Sequence, residues 1–360
     1  MSQKHILILM YGGRSGEHEI SLLSAASVLA ALDKTLYEIT CISGDKQGKW
    51  YQHNAKELKG HDASTPLPVA PPNAKEIYLS PEYFKHAYAV LPIMHGPLFE
   101  DGSLQGFLNL CNVAYLGSGH LSSAMAMDKE ITKVIASSHG ILVAPYAILR
   151  KGMSKTKQLA IQNDAVSTFN FPLFIKPACM GSSVGIHRVT THEALKMAVE
   201  DAFHYDDKIL IEKAIHGREI EVAILKQQHE ISVSCAGEIL MTTKDDFYSY
   251  QAKYQDDHLA KLIAPATLTP NQLSAIQSAA KIVFETLECD GLARIDFFLD
   301  DDTNDIILNE VNTLPGFTRI SMYPKLWQIS GIEYTTLLDK LISQAHWQHQ
   351  QSQQLLRNYL

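Results

Sequence analysis

The stretch LNEVNTLPGF, residues 308–317, places two polar side chains inside an apolar strand pattern. The apolar residues Ile306, Ile307, Leu308 and Val311 predict a buried strand, and the pattern ends before Pro315. Glu310 and Asn312 lie two residues apart, so their side chains point to the same face of the strand. Because removing a carboxylate from water is costly, this pair indicates a compensating partner.

A second apolar strand supplies another carboxylate. GLARIDFFLD (291–300) predicts a strand that contains Asp296, and DDDTND (300–305) predicts a hairpin that brings Asp296 beside Glu310. Two carboxylates and the Asn312 amide oxygen are hard ligands, which suit Mg²⁺ that also binds waters and phosphates. The alternative is a surface strand edge with scattered polar residues, and the addition of Asp296 favours the metal site.

The composition indicates a globular protein of two or three domains. The chain has 360 residues, of which 46% are hydrophobic and 19% charged. A net charge of -8 argues against a general nucleic-acid-binding protein but leaves small anionic ligands open. The five cysteines are scattered without a CxxC pair, which is typical of a reducing cytosol. The apolar run near the start is too short for a signal peptide or a membrane span, so we expect a soluble, cytoplasmic protein without membrane contact.

Alternating apolar patterns predict a first α/β domain that ends near residue 125. Strands over 5–10 and 37–43 flank a helix over 22–32, and this βαβ unit implies a parallel sheet. A further strand and helix follow, and the proline-rich residues 61–75 predict a surface excursion.

The remainder of the chain predicts two further regions. A helix over 128–140, ended by Gly140, opens a small α+β region that runs to about residue 215. Strands over 218–225 and 230–240, a polar loop over 242–261, a helix over 270–288 and the strand pair described above form the third region. The predicted tail is a solvated helix or a frayed end.

The segment FPLFIKPACMGSSVGI (171–186) predicts a strand that ends at Lys176, followed by a Gly/Ser loop. Small residues let backbone N–H groups approach an anion, and lysine offers a point charge to phosphate. The segment is neither a Walker A motif nor GxGxxG, and a plain turn is the alternative.

The segment KILIEKAIHGREIEV (208–222) places Glu212 and Lys213 at a strand end, with Glu219 following. Backbone groups at a strand end can bind a purine edge, and a nearby carboxylate can bind ribose hydroxyls. A surface salt-bridge patch is the alternative interpretation.

The segment YGGRSGEHEIS (11–21) follows the first strand, but its glycines lack the dinucleotide-binding spacing. Glu17 and Glu19 at the helix entry suit a cationic ligand group such as an ammonium. His95 ends another strand of the same region, so both loops lie at the sheet edge where ligands bind, although a structural histidine is the alternative. Arg294, two residues before Asp296, could hold a carboxylate or a developing oxyanion, or form an internal salt bridge.

In this order, the segments of the chain resemble the D-alanine–D-alanine ligase family of ATP-grasp enzymes. The resemblance covers nearly the whole chain. It rests on GEHEISL (16–22), HGPLFEDGSLQG (95–106), MDKEITK (127–133), FIKPACMGSSVGI (174–186), IEKAIHGREIEVAIL (211–225), YQAKY (250–254), GLARIDFF (291–298) and NEVNTLPGFT (309–318).

The resemblance implies a three-domain α/β ATP-grasp architecture. Its parts would be an N-terminal parallel α/β substrate-binding (pre-ATP-grasp) domain over 1–125, a small central α+β domain over 126–216 and a C-terminal α+β domain over 217–360. ATP would bind between the last two, beneath a lid over 242–261. The family is typically homodimeric, and its enzymes make D-alanyl-D-alanine for peptidoglycan, the cell-wall polymer.

The resemblance also implies roles for individual residues. Those expected to bind ATP are Lys129, Lys176, Ser183, Glu212, Lys213, Ile215, Glu219, Lys253, Phe298 and Asn309. Those expected to hold two Mg²⁺ (or Mn²⁺) ions are Asp296, Glu310 and Asn312. Those expected to contact D-alanine are Glu19, for the first ammonium, and His95, Gly316, Ser321 and Met322. The catalytic set would be Glu19, Ser182, Tyr254 and Arg294, with Arg294 and the Gly316 amide at the oxyanion.

The implied reaction passes through an acyl phosphate, formed when one D-alanine carboxylate attacks the γ-phosphate of ATP. The amine of the second D-alanine then displaces phosphate. A lid makes sense because water would hydrolyse the intermediate.

The chain departs from the family in the lid, where Ser249 and Gln251 replace the usual Asp and Glu. Lys253 and Tyr254 are retained, and the tyrosine favours D-alanine as acceptor, because D-lactate-using relatives carry phenylalanine there. Rival interpretations are a ligase with D-lactate or D-serine as acceptor, a nucleotide-responsive binding protein without turnover, and an NAD dehydrogenase, which the glycine spacing disfavours.

Overall fold

The computed structural model describes residues 4–58, 61–241 and 260–356. Its strands are β1 (His5–Gly12), β2 (Tyr37–Gly44), β3 (Trp50–Asn54), β4 (Lys75–Ile77), β5 (Ala89–Ile93), β6 (Leu142–Val143), β7 (Tyr146–Arg150), β8 (Leu173–Pro177), β9 (His187–Val189), β10 (Lys208–Lys213), β11 (Gly217–Gln227), β12 (Glu230–Met241), β13 (Ala260–Ile263), β14 (Leu292–Asp300) and β15 (Ile306–Asn312).

The α-helices of the described residues are α1 (His18–Ala31), α2 (Ser103–Leu110), α3 (His120–Met127), α4 (Lys129–Ser138), α5 (Lys155–Phe169), α6 (His192–Ala202), α7 (Pro270–Thr286), α8 (Met322–Ile329) and α9 (Tyr334–Gln353). Two 3₁₀ turns lie at Ala55–Leu58 and Pro81–Tyr83. In this part of the chain, no helix is both long and apolar enough to cross a bilayer.

The first sheet has the order β4-β3-β2-β1-β5. Strand β1 pairs in parallel with β2 and β5, which confirms the predicted βαβ unit around α1. Strand β1 lies inside this sheet, and its residues from Leu7 to Tyr11 are buried, as the apolar run after His5 predicts. The sequence did not predict that β3 and β4 would add to this sheet in antiparallel pairs.

The second sheet is small and antiparallel, with the order β7-β10-β8-β9. Helices α5 and α6 cover its apolar face, and Leu149, Ile175, Ile209 and Ile211 form the centre of its core. Strand β10 lies between β7 and β8, so the segments that carry Glu212 and Lys176 are direct neighbours.

The third sheet has the order β13-β12-β11-β14-β15-β6. The predicted β14–β15 hairpin is confirmed, and Asp296 is opposite Glu310 in its register. Helix α7 packs on this sheet and begins with a capping box between Thr269 and Gln272. The short strand β6 pairs in parallel with β15, which attaches the segment after α4 to the edge of this sheet.

Helix α4 begins at an Asp128 N-cap, whose side chain accepts hydrogen bonds from two backbone N–H groups. The helix ends before Gly140, whose φ of +79° confirms the predicted C-terminal glycine.

Helices α8 and α9 join the first and third sheets through one core. Tyr323, Trp327 and Leu341 from these helices share that core with Leu9 of β1 and Leu225 of β11. The polar end of α9 is partly packed rather than fully solvated, because the His346 ring stacks on Tyr88 with centroids 4.0 Å apart. The tail helix therefore fixes the position of the first sheet relative to the third.

Gly217, the first residue of β11, tests how tightly the third sheet is packed. A Cβ added there would lie 2.3 Å from the backbone oxygen of Leu299 in β14, which cannot move aside without shifting the strand. We expect Gly217→Ala to lower the free energy of unfolding by about 1–3 kcal/mol, as overpacking does.

The matched control is Gly106→Ala in α2, where an added Cβ meets nothing within 4 Å and alanine favours the helix. Denaturant unfolding of both variants compares the two effects. Equal stability of the two variants would contradict the close β11–β14 approach.

Candidate active site

A cleft opens where loops from the first and second sheets face the β14–β15 hairpin. Residues from separated parts of the chain line it, among them Glu17, His95, Ser182, Arg294 and Glu310. Several of the polar residues selected from the sequence therefore share one space. The remaining contacts show which side chains are aimed into it.

A β-bulge aims the polar residues of β15. Asp296 is opposite Glu310, but the next residue, Phe297, is opposite Leu308, so Asn309 is an extra residue in β15. In a regular strand Asn309 and Glu310 would point to opposite faces, yet here both line the cleft together with Asn312. The bulge explains how three polar residues of one short strand reach the same cleft.

Arg294 and Asn312 organise the buried Asp296 carboxylate. Arg294 donates from Nε and Nη2 to the two oxygens of Asp296 at 2.8 and 2.7 Å, and Asn312 donates from Nδ2 at 3.0 Å. The Arg294 Nη2 also lies 3.2 Å from Oε1 of Glu221, a residue of β11 that the sequence did not single out. Burial lowers the pKa of Arg294, but Asp296 and Glu221 outweigh it and hold that pKa well above its ordinary value.

The donor set of the hairpin fits a hard divalent cation. Asp296 and Glu310 offer carboxylate oxygens, and Asn312 donates through Nδ2, which leaves its amide oxygen as the acceptor. Within the described ranges no group of three or more His, Cys, Asp or Glu side chains could hold a metal. The Asn312 amide oxygen would supply a third ligand beside the two carboxylates. Three carboxylates, with Glu221, face one guanidinium, and the excess negative charge favours a cation.

Three lysines converge on the other side of the cleft. Lys129 donates from Nζ to the Met180 oxygen at 2.6 Å, and Lys176 donates to Glu212 at 2.8 Å and to Asn309 at 3.4 Å. Lys133, one helical turn after Lys129, lies 3.1 Å from the other Glu212 oxygen. Burial lowers the pKa values of Lys129 and Lys133, because it removes their charged ammonium groups from water. Keeping these side chains charged here costs desolvation free energy.

The Glu212 carboxylate lies between two ammonium groups rather than at a purine edge. Its side chain is almost fully buried, with 2% exposed. Burial raises its pKa, but Lys133 and Lys176 outweigh burial and hold the pKa below its ordinary value. Because the Glu212 side chain is engaged by the two lysines, a purine edge at this strand end would be bound by backbone groups. Lys133 was missed, although its spacing of four residues from Lys129 was a readable signal.

The other residues expected to bind a nucleoside surround the end of β10 and the start of β11. Glu219 is opposite Phe298 in the β11–β14 register, and both are half-buried. Ile215 is half-buried and Lys213 is exposed. These four residues frame one edge between the second and third sheets.

Glu17, not Glu19, faces the cleft. The Ser182 hydroxyl donates to Oε1 of Glu17. Gly96 and Gly181 lie so close that an added Cβ would be 2.9 and 3.3 Å from Oε2 of Glu17. Glu19 is exposed and pairs with Lys46 at 2.5 Å, so the geometry favours Glu17 over Glu19 for contact with a ligand in the cleft, and the expected role of Glu19 stays a prediction.

The two carboxylates could not be separated by sequence, because the direction of a side chain at a helix entry depends on the local turn. Ser182 and Ser183 both have positive φ, +51° and +59°, which bends the loop back toward Glu17.

His95 is buried and fixed from both sides of its ring. Its Nε2 lies 3.1 Å from the Ser24 hydroxyl, and its Nδ1 lies 3.2 Å from the Leu314 oxygen and 3.5 Å from Oε1 of Glu100. Burial lowers the pKa of His95, but the hydrogen bond and charge of Glu100 outweigh it and raise that pKa. Ser24 and Glu100 were missed: Ser24 lies in an ordinary helix pattern, and Glu100 lies in the 95–106 segment but was not singled out there.

The end of the cleft is formed by the turn after β15. Ser321 accepts a hydrogen bond from the Thr318 backbone at 3.0 Å, and a Cβ at Gly316 would lie 2.8 Å from the Ser321 hydroxyl. A glycine is therefore needed for this close approach. Met322 is buried behind Ser321 and packs on Gly237. The lid residues Ser249, Gln251, Lys253 and Tyr254 lie outside the described residues.

Comparisons with known proteins identify the family to which this sequence and fold belong. Residues 6–118 match the D-ala D-ala ligase N-terminus family and residues 135–343 match the D-ala D-ala ligase C-terminus family. The D-alanine–D-alanine ligase A of Bradyrhizobium diazoefficiens is 44% identical over 100% of both chains.

Solved structures give the same result. The D-alanine-D-alanine ligase from Coxiella burnetii superposes with a TM-score of 0.79 at 33% identity, over 99% of this chain and 98% of that chain. The VanG D-Ala:D-Ser ligase from Enterococcus faecalis gives 0.80 at 31% identity, over 95% and 100%. The fold is thus that of the ATP-grasp ligases, an α/β class of enzymes that form bonds at the expense of ATP. Within that class, the chain belongs to the D-alanine–D-alanine ligase family.

Removing the Glu212 carboxylate tests the buried lysine pair. We expect Glu212→Gln to lower the free energy of unfolding at pH 7 by about 3–5 kcal/mol, because Lys133 and Lys176 lose their compensating charge. The folded-state pKa of Glu212 is below its ordinary value near 4.5, so its contribution is present above that pH and is lost as the pH falls through the folded-state value.

The measurement is denaturant unfolding of both proteins from pH 7 down to about pH 2, which extends the scan well below the ordinary pKa of Glu212. The control is Glu230→Gln, an exposed residue at the start of β12, for which we expect a change within about 0.5 kcal/mol. A difference between wild type and Glu212→Gln that does not shrink with falling pH would contradict the assigned ion cluster.

Proposed function

We propose that this protein joins two D-alanine molecules into D-alanyl-D-alanine with the hydrolysis of ATP to ADP and phosphate, as a step toward peptidoglycan in the cytoplasm. The observation that carries the proposal is the division of charge in one cleft. Lys129 lines one part of it beside Asn309 and Glu310, and Glu17, His95 and Arg294 line the other part. Membership of the D-alanine–D-alanine ligase family supports it.

The lysine side of the cleft is proposed to hold the ATP phosphates. Lys129 and Lys176 reach the cleft from α4 and β8, and the backbone N–H groups near Ser183 lie in the loop beside them. Lys213, Ile215, Glu219 and Phe298 are proposed to hold adenine and ribose. The triphosphate would then extend from the β10–β11 edge toward β15.

Asp296, Glu310 and Asn312 are proposed as the residues that would hold two Mg²⁺ ions. When bound, such ions neutralise charge on the transferring phosphate. Asn309 contacts Lys176, so the two sides of the cleft meet at the bulge of β15.

The amino acids are proposed to bind on the opposite side of the hairpin. Glu17 would accept hydrogen bonds from the ammonium of the first D-alanine, and His95 and Ser321 would contact the second. Arg294 uses Nε and Nη2 for its contacts with Asp296, so its Nη1 would join the Gly316 amide at the oxyanion. These residues orient the carboxylate toward the γ-phosphate.

The reaction proceeds in two displacements. A carboxylate oxygen of the first D-alanine bonds to the γ-phosphorus of ATP and ADP leaves. The amine of the second D-alanine attacks the acyl carbon, phosphate leaves with the former carboxylate oxygen, and the amine loses a proton. We further propose the division into domains at residues 125 and 216, and a homodimer.

The activity is tested by ADP and phosphate release from Mg²⁺-ATP with D-alanine, L-alanine or no amino acid, with the product identified by mass. We expect release only with D-alanine, and the mass of a dipeptide. Competition with D-lactate and D-serine at varied pH measures the choice of acceptor, and we expect D-alanine to dominate. Folded, ATP-binding protein without D-alanine-dependent release would contradict the proposal.

The choice between Glu17, which precedes α1, and Glu19, in its first turn, is tested separately. We expect Glu17→Gln to lower kcat/KM for D-alanine about 30-fold or more, because a charged hydrogen bond to the ammonium is worth about 2 kcal/mol. Glu19→Gln removes only an exposed ion pair, and we expect activity within about twofold of wild type. The measurement is steady-state kinetics on both variants. A larger loss of kcat/KM in Glu19→Gln than in Glu17→Gln would assign the D-alanine ammonium to Glu19 instead.

A further inference from the structure

Lys208, the first residue of β10, connects elements that carry the phosphate-binding groups. Its Nζ donates to both oxygens of Asp128, one at 2.7 Å, and to Oε2 of Glu130 at 2.8 Å. The Lys208 side chain is 11% exposed, and each carboxylate partner is 19% exposed. This is a well-enclosed cluster outside the cleft lining, and its ammonium is fully engaged by protein oxygens.

The Asp128 carboxylate has a second task at the start of α4. Its Oδ1 accepts hydrogen bonds from the backbone N–H groups of Glu130 at 3.1 Å and Ile131 at 3.2 Å. Lys208 therefore holds the cap of the helix whose first residue is Lys129. Arg150 adds a contact to Glu130 at 3.0 Å, which closes the cluster toward β7.

The backbone of Lys208 is also connected to Lys129, through hydrogen bonds of Ala178. The Lys208 oxygen accepts from the Ala178 N–H at 2.9 Å, and the Ala178 oxygen accepts from the Lys129 N–H at 3.0 Å. The Lys129 ammonium in turn donates to the Met180 oxygen at 2.6 Å. Lys208 thus sits where the end of β8, the Gly/Ser loop and the start of α4 meet.

Asp206 supports this junction from the other side. Its carboxylate accepts from the Lys208 N–H at 3.1 Å and from the Cys179 N–H at 2.7 Å. The first residues of the Gly/Ser loop are consequently held by the turn that precedes β10. Residues 206–208 therefore hold both the start of the Gly/Ser loop and the start of α4 through side-chain and backbone contacts.

We propose that Lys208 is a positioning residue for the nucleotide phosphates, which acts by holding the Asp128 cap and thereby the place of Lys129 relative to the Gly/Ser loop. Lys208 does not touch the phosphates in this arrangement, because its ammonium is occupied by Asp128 and Glu130. A shift of about 1 Å in a positioned group is enough to weaken catalysis strongly. The inference rests on the proposed use of ATP.

The first test compares Lys208→Met with Lys226→Met as a matched control. Lys226 forms a similar, partly buried pair with Asp290 at 2.7 Å, far along β11 from the Gly/Ser loop. We expect Lys208→Met to raise KM for ATP about tenfold or more, with KM for D-alanine within about twofold. We expect Lys226→Met to lower the melting temperature but to leave both KM values within about twofold.

Two further variants separate positioning from stability. Lys208→Arg keeps the positive charge, and we expect it to restore KM for ATP to within about threefold of wild type. Asp128→Asn keeps an N-cap acceptor but loses the ion pair, so we expect it to match Lys208→Met, and the double variant to be no worse than either single one.

The inference is overturned if Lys208→Met changes KM for ATP no more than Lys226→Met does. It is also overturned if the effects of Lys208→Met and Asp128→Asn on KM for ATP are additive. Wild-type turnover with D-alanine is measured first, because its absence rejects the proposed function rather than this inference. In that case the Kd of Mg²⁺-ATP is measured by calorimetry on the same variants. We expect Lys208→Met to raise this Kd about tenfold or more and Lys226→Met to leave it within about twofold.

Discussion

The Glu212 carboxylate, held between the ammonium groups of Lys133 and Lys176, is the interaction on which the arrangement of the cleft depends. None of these three charges could be buried alone without a cost of several kcal/mol. Together they join α4, β8 and β10, and Lys176 extends the connection to Asn309 in β15. The second and third sheets are therefore held together at the place where a ligand would bind, by groups that a ligand can also use.

The strands and the hairpin could be predicted from the sequence because each follows from a local rule. Buried parallel strands such as β1 are apolar without interruption, and the spacing of Glu310 and Asn312 reports one face of β15. Asn309 required the bulge, which depends on the pairing of two strands and has no sequence pattern of its own. Local rules thus located the site but did not determine how its residues are aimed.

Residues that the sequence missed or could not distinguish share a physical cause. Glu221 and Ser24 reach Arg294 and His95 across strands or helices that are distant in sequence, so no spacing reveals them. Glu17 and Glu19 are chemically identical and two positions apart, and only the return of the Gly/Ser loop distinguishes them. The shared core of the first and third sheets is also nonlocal, because an apolar helix face such as that of α8 does not specify which sheet it will cover.

Charges of the same sign lie close together on each side of the cleft, where they repel one another. Lysines lie on one side of β15 and carboxylates on the other, and the Lys129 and Lys133 pKa values are lowered by burial. A polyanion with bound divalent cations is complementary to both sides at once, since its oxygens can face the lysines while its cations face Asp296 and Glu310. Such a ligand removes the electrostatic cost that each side bears alone. The cluster around Lys208 lies outside the cleft lining. It holds Lys129 in position, and its own ammonium does not compete for the ligand because Asp128 and Glu130 occupy it.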